Sequence, residues 1–92
     1  MQTTLTTNTS TEWLTNHEGH VFVQAAGTWG SGTLTVEVML EDGSTVQSIQ
    51  DGSFTSGPIS KHVTVPRGIP IRLTLSGSSG ASIVTQVTTS SI

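Results

Sequence analysis

Hydrophobic and polar residues alternate along most of this chain, and a period of two is typical of strands with one face on a core and one in water. The clearest run is 33–40, whose inward side chains are Leu34, Val36, Val38 and Leu40. The same alternation predicts further strands over 20–26, 44–50, 59–65, 70–76 and 81–89. Their inward positions complete the predicted core: Val21, Val23, Ala25, Val63, Val65, Ile71, Leu73, Leu75, Ile83 and Val87.

Turn signals separate these segments. Asp42-Gly43 is the strongest, because Asp-Gly favours the left-handed backbone of a tight hairpin, and it should join 33–41 to 44–50. Asp51-Gly52 is expected to end the second of these strands. The later signals are Ser56-Gly57-Pro58, Pro66-Arg67-Gly68 and Gly77–Gly80. Turns at this regular spacing predict an all-β fold, a compact antiparallel β-sandwich or small barrel of six to seven strands.

Residues 1–19 differ from the rest, so we predict an N-terminal arm and irregular segment over 1–19 and a β-sandwich domain over 20–92. Met1–Ser10 is rich in Thr, and Leu5 is its large apolar side chain besides Met1. This segment is either a frayed terminus or an extended arm that adds as a strand to a neighbouring subunit. Glu12–Glu18 is the segment that could hold a helical turn.

Charge is scarce in this sequence. Charged residues make up 10% of the chain, the net charge is −3, and the basic residues are Lys61, Arg67 and Arg72. Nucleic acids and anionic membranes are bound by clusters of cations, so we expect neither as a partner. Polarity comes instead from Ser and Thr, which form about a third of the chain. Since Met1–Ser10 lacks the basic and apolar regions of a signal peptide, we expect synthesis in the cytoplasm without one.

The small size of the domain points to association with other chains. A domain of 92 residues has a thin core of its own, and the usual supplements are disulfides, metals or oligomerisation. Cysteine is absent from the sequence, which rules out disulfides. We therefore expect a homo-oligomer, or a protein that docks on a larger body.

Catalytic and metal-binding patterns are missing from the sequence. Asp42 and Asp51 occupy turn positions, where Asp serves the backbone, and no Gly-x-Ser-x-Gly sequence occurs. His17 and His20, with Glu18 between them, are the nearest approach to a metal pair, but a site needs a third ligand. We expect no enzyme activity, no catalytic residues, no metal and no cofactor.

Three large side chains are the candidates for contacts with other molecules. Aromatic residues are enriched at the centres of protein interfaces, which favours Trp13 in its irregular segment. Trp29 lies in a glycine-rich turn and should fold over the sheet edge, where it serves either the core or an interface. Together with Leu5 of the N-terminal arm, Trp13 and Trp29 are the predicted interface residues.

A series of motifs carries a resemblance to a known family. The run Ala26-Gly27-Thr28-Trp29-Gly30-Ser31-Gly32-Thr33-Leu34-Thr35-Val36 places a glycine-flanked Trp before a Gly-Thr-apolar-Thr-apolar strand. The later motifs are Glu41-Asp42-Gly43-Ser44, Val65-Pro66-Arg67-Gly68, Ile71-Arg72-Leu73 and the stretch from Gly77 to Val87. In this order, over about 20–88, they resemble small β-sandwich virion proteins of tailed bacteriophages, of the capsid decoration (cement) or head-fibre type.

The resemblance implies a structural role without catalytic residues. Such a protein is made in the host cytoplasm and binds the major capsid protein on the outer surface of the virion, where it stabilises the lattice. A homo-oligomer is implied, with a trimer favoured. Val46 and Ile71 depart from the family, which often has aromatic residues at these places. The alternatives are a tail or head-fibre component, and a carbohydrate-binding module.

Overall fold

A computed structural model describes residues 2–15, 19–40 and 42–91, with the side chains of 90 and 91 left out. Over these residues the chain forms seven strands and no helix, and the strands pair antiparallel in two sheets. The strands are β1 (Gln2–Leu5), β2 (Gly19–Thr28), β3 (Thr33–Met39), β4 (Val46–Phe54), β5 (Ile59–Thr64), β6 (Ile71–Ser76) and β7 (Ser82–Ser91). The predicted antiparallel β-sandwich is confirmed, whereas the alternative of a small barrel is wrong because the sheets do not close.

The strand order has a recognisable topology. One sheet has the order β1-β7-β2-β5, which we call sheet A, and the other has the order β4-β3-β6, which we call sheet B. The segment 9–14 pairs irregularly with the outer edge of β6, through bridges from Ser10 to Thr74 and from Leu14 to Ile71. If this segment counts as an eighth strand, the order is that of a jelly roll, an arrangement found in viral capsid and lectin domains.

The core lies between the two sheets and follows the predicted alternation. Its buried apolar side chains are Leu5, Val21, Val23, Ala25, Leu34, Val36, Val63, Val65, Ile71, Leu73, Leu75, Ala81, Ile83 and Val87. Two predicted core residues differ: Val38 is only partly buried, and Leu40 is 41% exposed. β3 ends at Met39, so Leu40 lies just beyond the strand, at the start of the turn to β4.

The prediction that Asp51-Gly52 ends the second hairpin strand is wrong. β4 continues to Phe54, and the pairing with β3 shifts register between Thr35 and Glu37, which makes a bulge. Asp51 has a φ of 58°, a conformation that Asp tolerates better than most residues. The sequence signal therefore marks a local irregularity of the backbone. That irregularity lies within a strand, because the chain on both sides of it pairs with β3.

The N-terminal segment belongs to both sheets. β1 pairs with β7 in the same chain, and Leu5 is opposite Ile83. Residues 9–14 then cross to β6, where the hydroxyl oxygen of the buried Thr11 accepts a hydrogen bond from the Leu73 N–H at 3.0 Å. The predicted helical turn over 12–18 is wrong for residues 12–15, and residues 16–18 lie outside the described part.

Each outer sheet edge in the described structure has a feature that hinders pairing with another chain. β1 is only four residues long, the edge of β6 is covered by 9–14, and β4 is interrupted by its bulge. On β5, Lys61 is in register with the buried Val23, so its side chain starts on the inner face of the edge strand. A charge in that position disfavours an added strand that would bury it.

Asp42 stabilises the turn between β3 and β4. Its carboxylate accepts hydrogen bonds from the Thr45 hydroxyl and from the N–H groups of Thr45 and Ser44, both at 2.9 Å. The Thr45 hydroxyl first, and then these two N–H groups, lower the pKa of Asp42 to about 2 from the ordinary 3.8. The carboxylate form is therefore favoured in the folded state.

We expect this turn to make stability depend on pH. The folded pKa lies below the unfolded one, so the contribution is complete above about pH 4 and disappears as the pH falls towards 2. Asp42→Asn should have a lower urea midpoint than the unaltered protein at pH 7, and the difference should vanish near pH 2. Thr45→Val removes the hydroxyl that lowers the pKa of Asp42 most, so the folded pKa should move back towards 3.8. The pH range over which stability falls should then be narrower than in the unaltered protein. A difference that is constant from pH 7 to pH 2 would contradict this assignment.

Candidate functional site

Leu5, a predicted interface residue, lies in the core of its own chain. It is 2% exposed and packs at the end of β1, in register with Ile83 of β7. The hydroxyl of Thr85 donates to the Thr3 carbonyl at 2.7 Å, which adds a second tie between β1 and β7. In this arrangement Leu5 stabilises the domain and is not on the surface.

Trp13 lies on the outer face of sheet B. The guanidinium carbon of Arg72 is 4.4 Å from the centroid of the Trp13 ring, a cation–π contact. The Arg72 Nε donates to Glu37 at 2.9 Å, and the same carboxylate oxygen accepts from the Thr74 hydroxyl. The Ser10 hydroxyl is in turn 2.7 Å from that of Thr74, so Trp13 belongs to a polar cluster whose charges are satisfied within it.

Trp29 packs against the core just after the end of β2. It is partly buried, and a Cβ on Gly57 would lie 2.7 Å from its Cζ2 and Nε1 atoms, so its ring rests directly on the Gly57 backbone. Its Nε1 is buried and has no hydrogen-bond partner among the described residues. An unpaired buried donor costs about 1–3 kcal/mol. Trp29 follows β2, an inner strand of sheet A, and its ring packs on the turn between β4 and β5.

An apolar surface lies at one end of the sandwich in the described part of the chain. A groove of about 280 Å³ opens there, between the end of β3 and the turn that follows β5. Leu40 and Val46, which is paired with the groove residue Met39, are 41% and 39% exposed. We call this surface the apolar end, and it consists of Met39, Leu40, Val46, Ile49, Pro66 and Ile69.

The surroundings of the apolar end suit an interface. Asp42 and Arg67 lie in the adjoining turns and are exposed, so charge is found at the rim and apolar side chains at the centre. Protein interfaces have the same anatomy, with an apolar centre and a polar rim. On a surface otherwise dominated by hydroxyl groups, exposed aliphatic side chains next to a groove indicate a place for a partner.

Sequence reasoning missed this surface. It placed Leu40 in the core and Met39 on the polar face, because strict alternation was extended to the end of the strand. The available signal was the pair Met39-Leu40 itself, since two consecutive apolar residues just before Asp42-Gly43 cannot both face the core of a hairpin. One of them has to be at the surface.

The described residues contain no group of three or more His, Asp or Glu side chains that could hold a metal ion. His17, the first residue of the pair considered above, and Glu18 lie outside the described residues. His20 is on β2, where its ring centroid is 6.2 Å from that of His62 on β5. A helix that could cross a membrane does not occur in the described ranges.

Comparisons with protein-family models, with curated proteins and with solved structures find no match to this chain.

Proposed function

We propose that the protein is a structural component of a bacteriophage virion, a capsid decoration (cement) protein that binds the outer capsid lattice and stabilises it. The observation that carries this proposal is the apolar end, where two of the three large hydrophobic residues that are exposed in the described structure, Leu40 and Val46, lie beside a groove. The motif resemblance over about 20–88 supports the same role. The major capsid protein is the proposed partner.

The proposed mechanism is non-covalent binding to the capsid surface, without a catalysed reaction. Aliphatic side chains such as Leu40 and Val46 would be buried against the capsid surface, and each apolar Å² removed from water contributes about 25 cal/mol. A single domain of this size makes a modest contact. Many copies on a repeating lattice stabilise the shell together, since each copy adds one more non-covalent contact between neighbouring capsid subunits.

The proposal is tested with capsids of the phage that carries the gene, emptied of DNA and stripped of this protein. The unaltered protein should bind them and co-sediment until it reaches saturation. Leu40→Asp and Val46→Asp should each weaken binding about 30-fold or more, because each places a charge in the centre of the contact. Both residues are well exposed, so both variants should fold.

Ser76→Asp is the matched control, because Ser76 is an exposed strand residue outside the apolar end. It should bind like the unaltered protein. The absence of binding by the unaltered protein at saturating concentration would overturn the proposal. Copy number separates the alternatives: hundreds per virion support decoration, whereas six to a few dozen, about the number of vertex or tail positions, would indicate a tail or head-fibre component.

A further inference from the structure

The outer face of sheet A is free of permanent charge. On β2 its outward residues are His20, Phe22, Gln24, Ala26 and Thr28, and the outward residues of β1, β5 and β7 that the structure describes include no Asp, Glu, Lys or Arg. The outer face of sheet B, in contrast, carries the Glu37–Arg72 ion pair. Depletion of charge is a mark of the centre of a protein interface.

This face has an aromatic row on one side and a hollow on the other. Phe22 contacts His62 of β5 edge to face, with ring centroids 5.3 Å apart, and on its other side Phe22 is in register with Thr88 of β7. Four residues further along β2, a hollow of about 290 Å³ opens beside Ala26 and Val84. A cavity of about 150 Å³ is enough for benzene, so this hollow has room for a phenyl ring.

A row of glutamines lies between these two features. Gln24 on β2 is in register with Gln86 on β7, which is in register with Gln2 on β1. The amide group donates and accepts hydrogen bonds, so a glutamine can pair with an identical glutamine. Phe22 and Ala26 are each two residues, about 7 Å, from Gln24 on opposite sides.

We propose that the outer face of sheet A is the contact between two copies of this chain, related by a two-fold axis along the glutamine row. Rotation about that axis turns the face of the second copy onto the face of the first. Phe22 of each copy then lies over the hollow beside Ala26 of the other copy. The glutamine rows then face each other, and Val84 of each copy faces Thr88 of the other. A two-fold contact of this kind joins identical patches, as is common in homodimers.

The lack of charged side chains on this face favours a second copy as its occupant, whereas its area limits the strength of the contact. The chain has a net charge of −3, so two copies repel at long range, but the described outward residues of this face include no Asp, Glu, Lys or Arg that would add to the repulsion at contact. Four strands at ordinary spacing give a face of about 500 Å². Standard interfaces bury about 800 Å² per partner, so pairing through this face should be weak and depend on concentration. It differs from the trimer that the resemblance implies.

Sedimentation equilibrium of the full chain tests the pairing. The unaltered protein should associate to a dimer in the micromolar to millimolar range. Val84→Lys and Thr88→Glu should each weaken the dimer at least about tenfold, because each buries a charge opposite an uncharged residue. A 1:1 mixture of these two variants should dimerise again, since Lys at 84 of one copy then faces Glu at 88 of the other. Both residues are exposed, so both variants should fold.

Ser53→Lys, on the outer face of sheet B, is the control and should leave the dimer unchanged. The inference is overturned if the unaltered protein stays monomeric to millimolar concentration, if it forms a trimer that these variants do not affect, or if the mixture stays monomeric. The result is independent of capsid binding. Val46→Asp should still dimerise, and monomeric Val84→Lys should still present the apolar end to a capsid.

Discussion

Leu5→Ala should lower the free energy of unfolding by about 2–5 kcal/mol, the range found when a buried Leu is truncated and a cavity remains. Leu5 is 2% exposed and is the main side chain that β1 contributes to the core. A domain of this size has a total stability of about 5–15 kcal/mol, so the change removes a large part of it. Urea unfolding followed by the fluorescence of Trp13 and Trp29 measures the effect.

Leu40→Ala is the matched control, because it removes the same atoms from a residue that is 41% exposed. It should change stability by no more than about 0.5 kcal/mol. Equal effects of the two variants would contradict the placement of Leu5 in the core. If β1 instead adds to a neighbouring copy, the unfolding midpoint of the unaltered protein should rise with protein concentration.

Gly27→Ala should lower the free energy of unfolding by about 2–4 kcal/mol. Gly27 is in the β2–β7 ladder with a φ of 137°, which residues other than glycine rarely adopt. A Cβ there would also collide with the carbonyl oxygen of Ser82, a backbone atom that moves only if β7 moves. The substitution therefore strains the pairing between the two central strands of sheet A.

Gly77→Ala separates the cost of the positive φ from the cost of the collision with a neighbouring strand. Gly77 has a φ of 68°, but a Cβ there would meet nothing within 4 Å. This control should lose only about 1 kcal/mol, the cost of the left-handed conformation itself. If both variants lost the same amount in urea unfolding, the close approach of Gly27 to β7 would have no energetic role.

The period of two predicted β2, β3, β5, β6 and β7 and most of the core residues on them, because burial on one face repeats locally along each strand. Segment 9–14 escaped this reasoning, since it pairs irregularly and relies on the Thr11 side chain in place of a regular ladder. The alternation also did not predict the polar cluster of Trp13, Arg72 and Glu37, although aromatic and charged residues are few in this sequence. Their contact depends on the register of β3 with β6 and on the path of 9–14, which no local pattern contains.

The proposed two-fold face also depends on strand order, which no local sequence pattern contains. Phe22, Gln24 and Ala26 alternate visibly along the sequence, but only the order β1-β7-β2-β5 places Gln2 and Gln86 in one row with Gln24. The apolar end is a different case. Its signal, Met39-Leu40, was local and could have been used.

The protected strand edges have a consequence for the protein at high concentration. Amyloid fibres and tangled aggregates grow when the open edge of one sheet templates the next. With a short β1, a covered β6, a bulged β4 and Lys61 on the inner side of β5, such growth has no good starting point. At high concentration, copies can still meet through the outer face of sheet A or the apolar end. Such contacts are made by side chains without strand pairing, so they are reversible. The domain should therefore remain recoverable from concentrated preparations where a sheet with bare edges would gel.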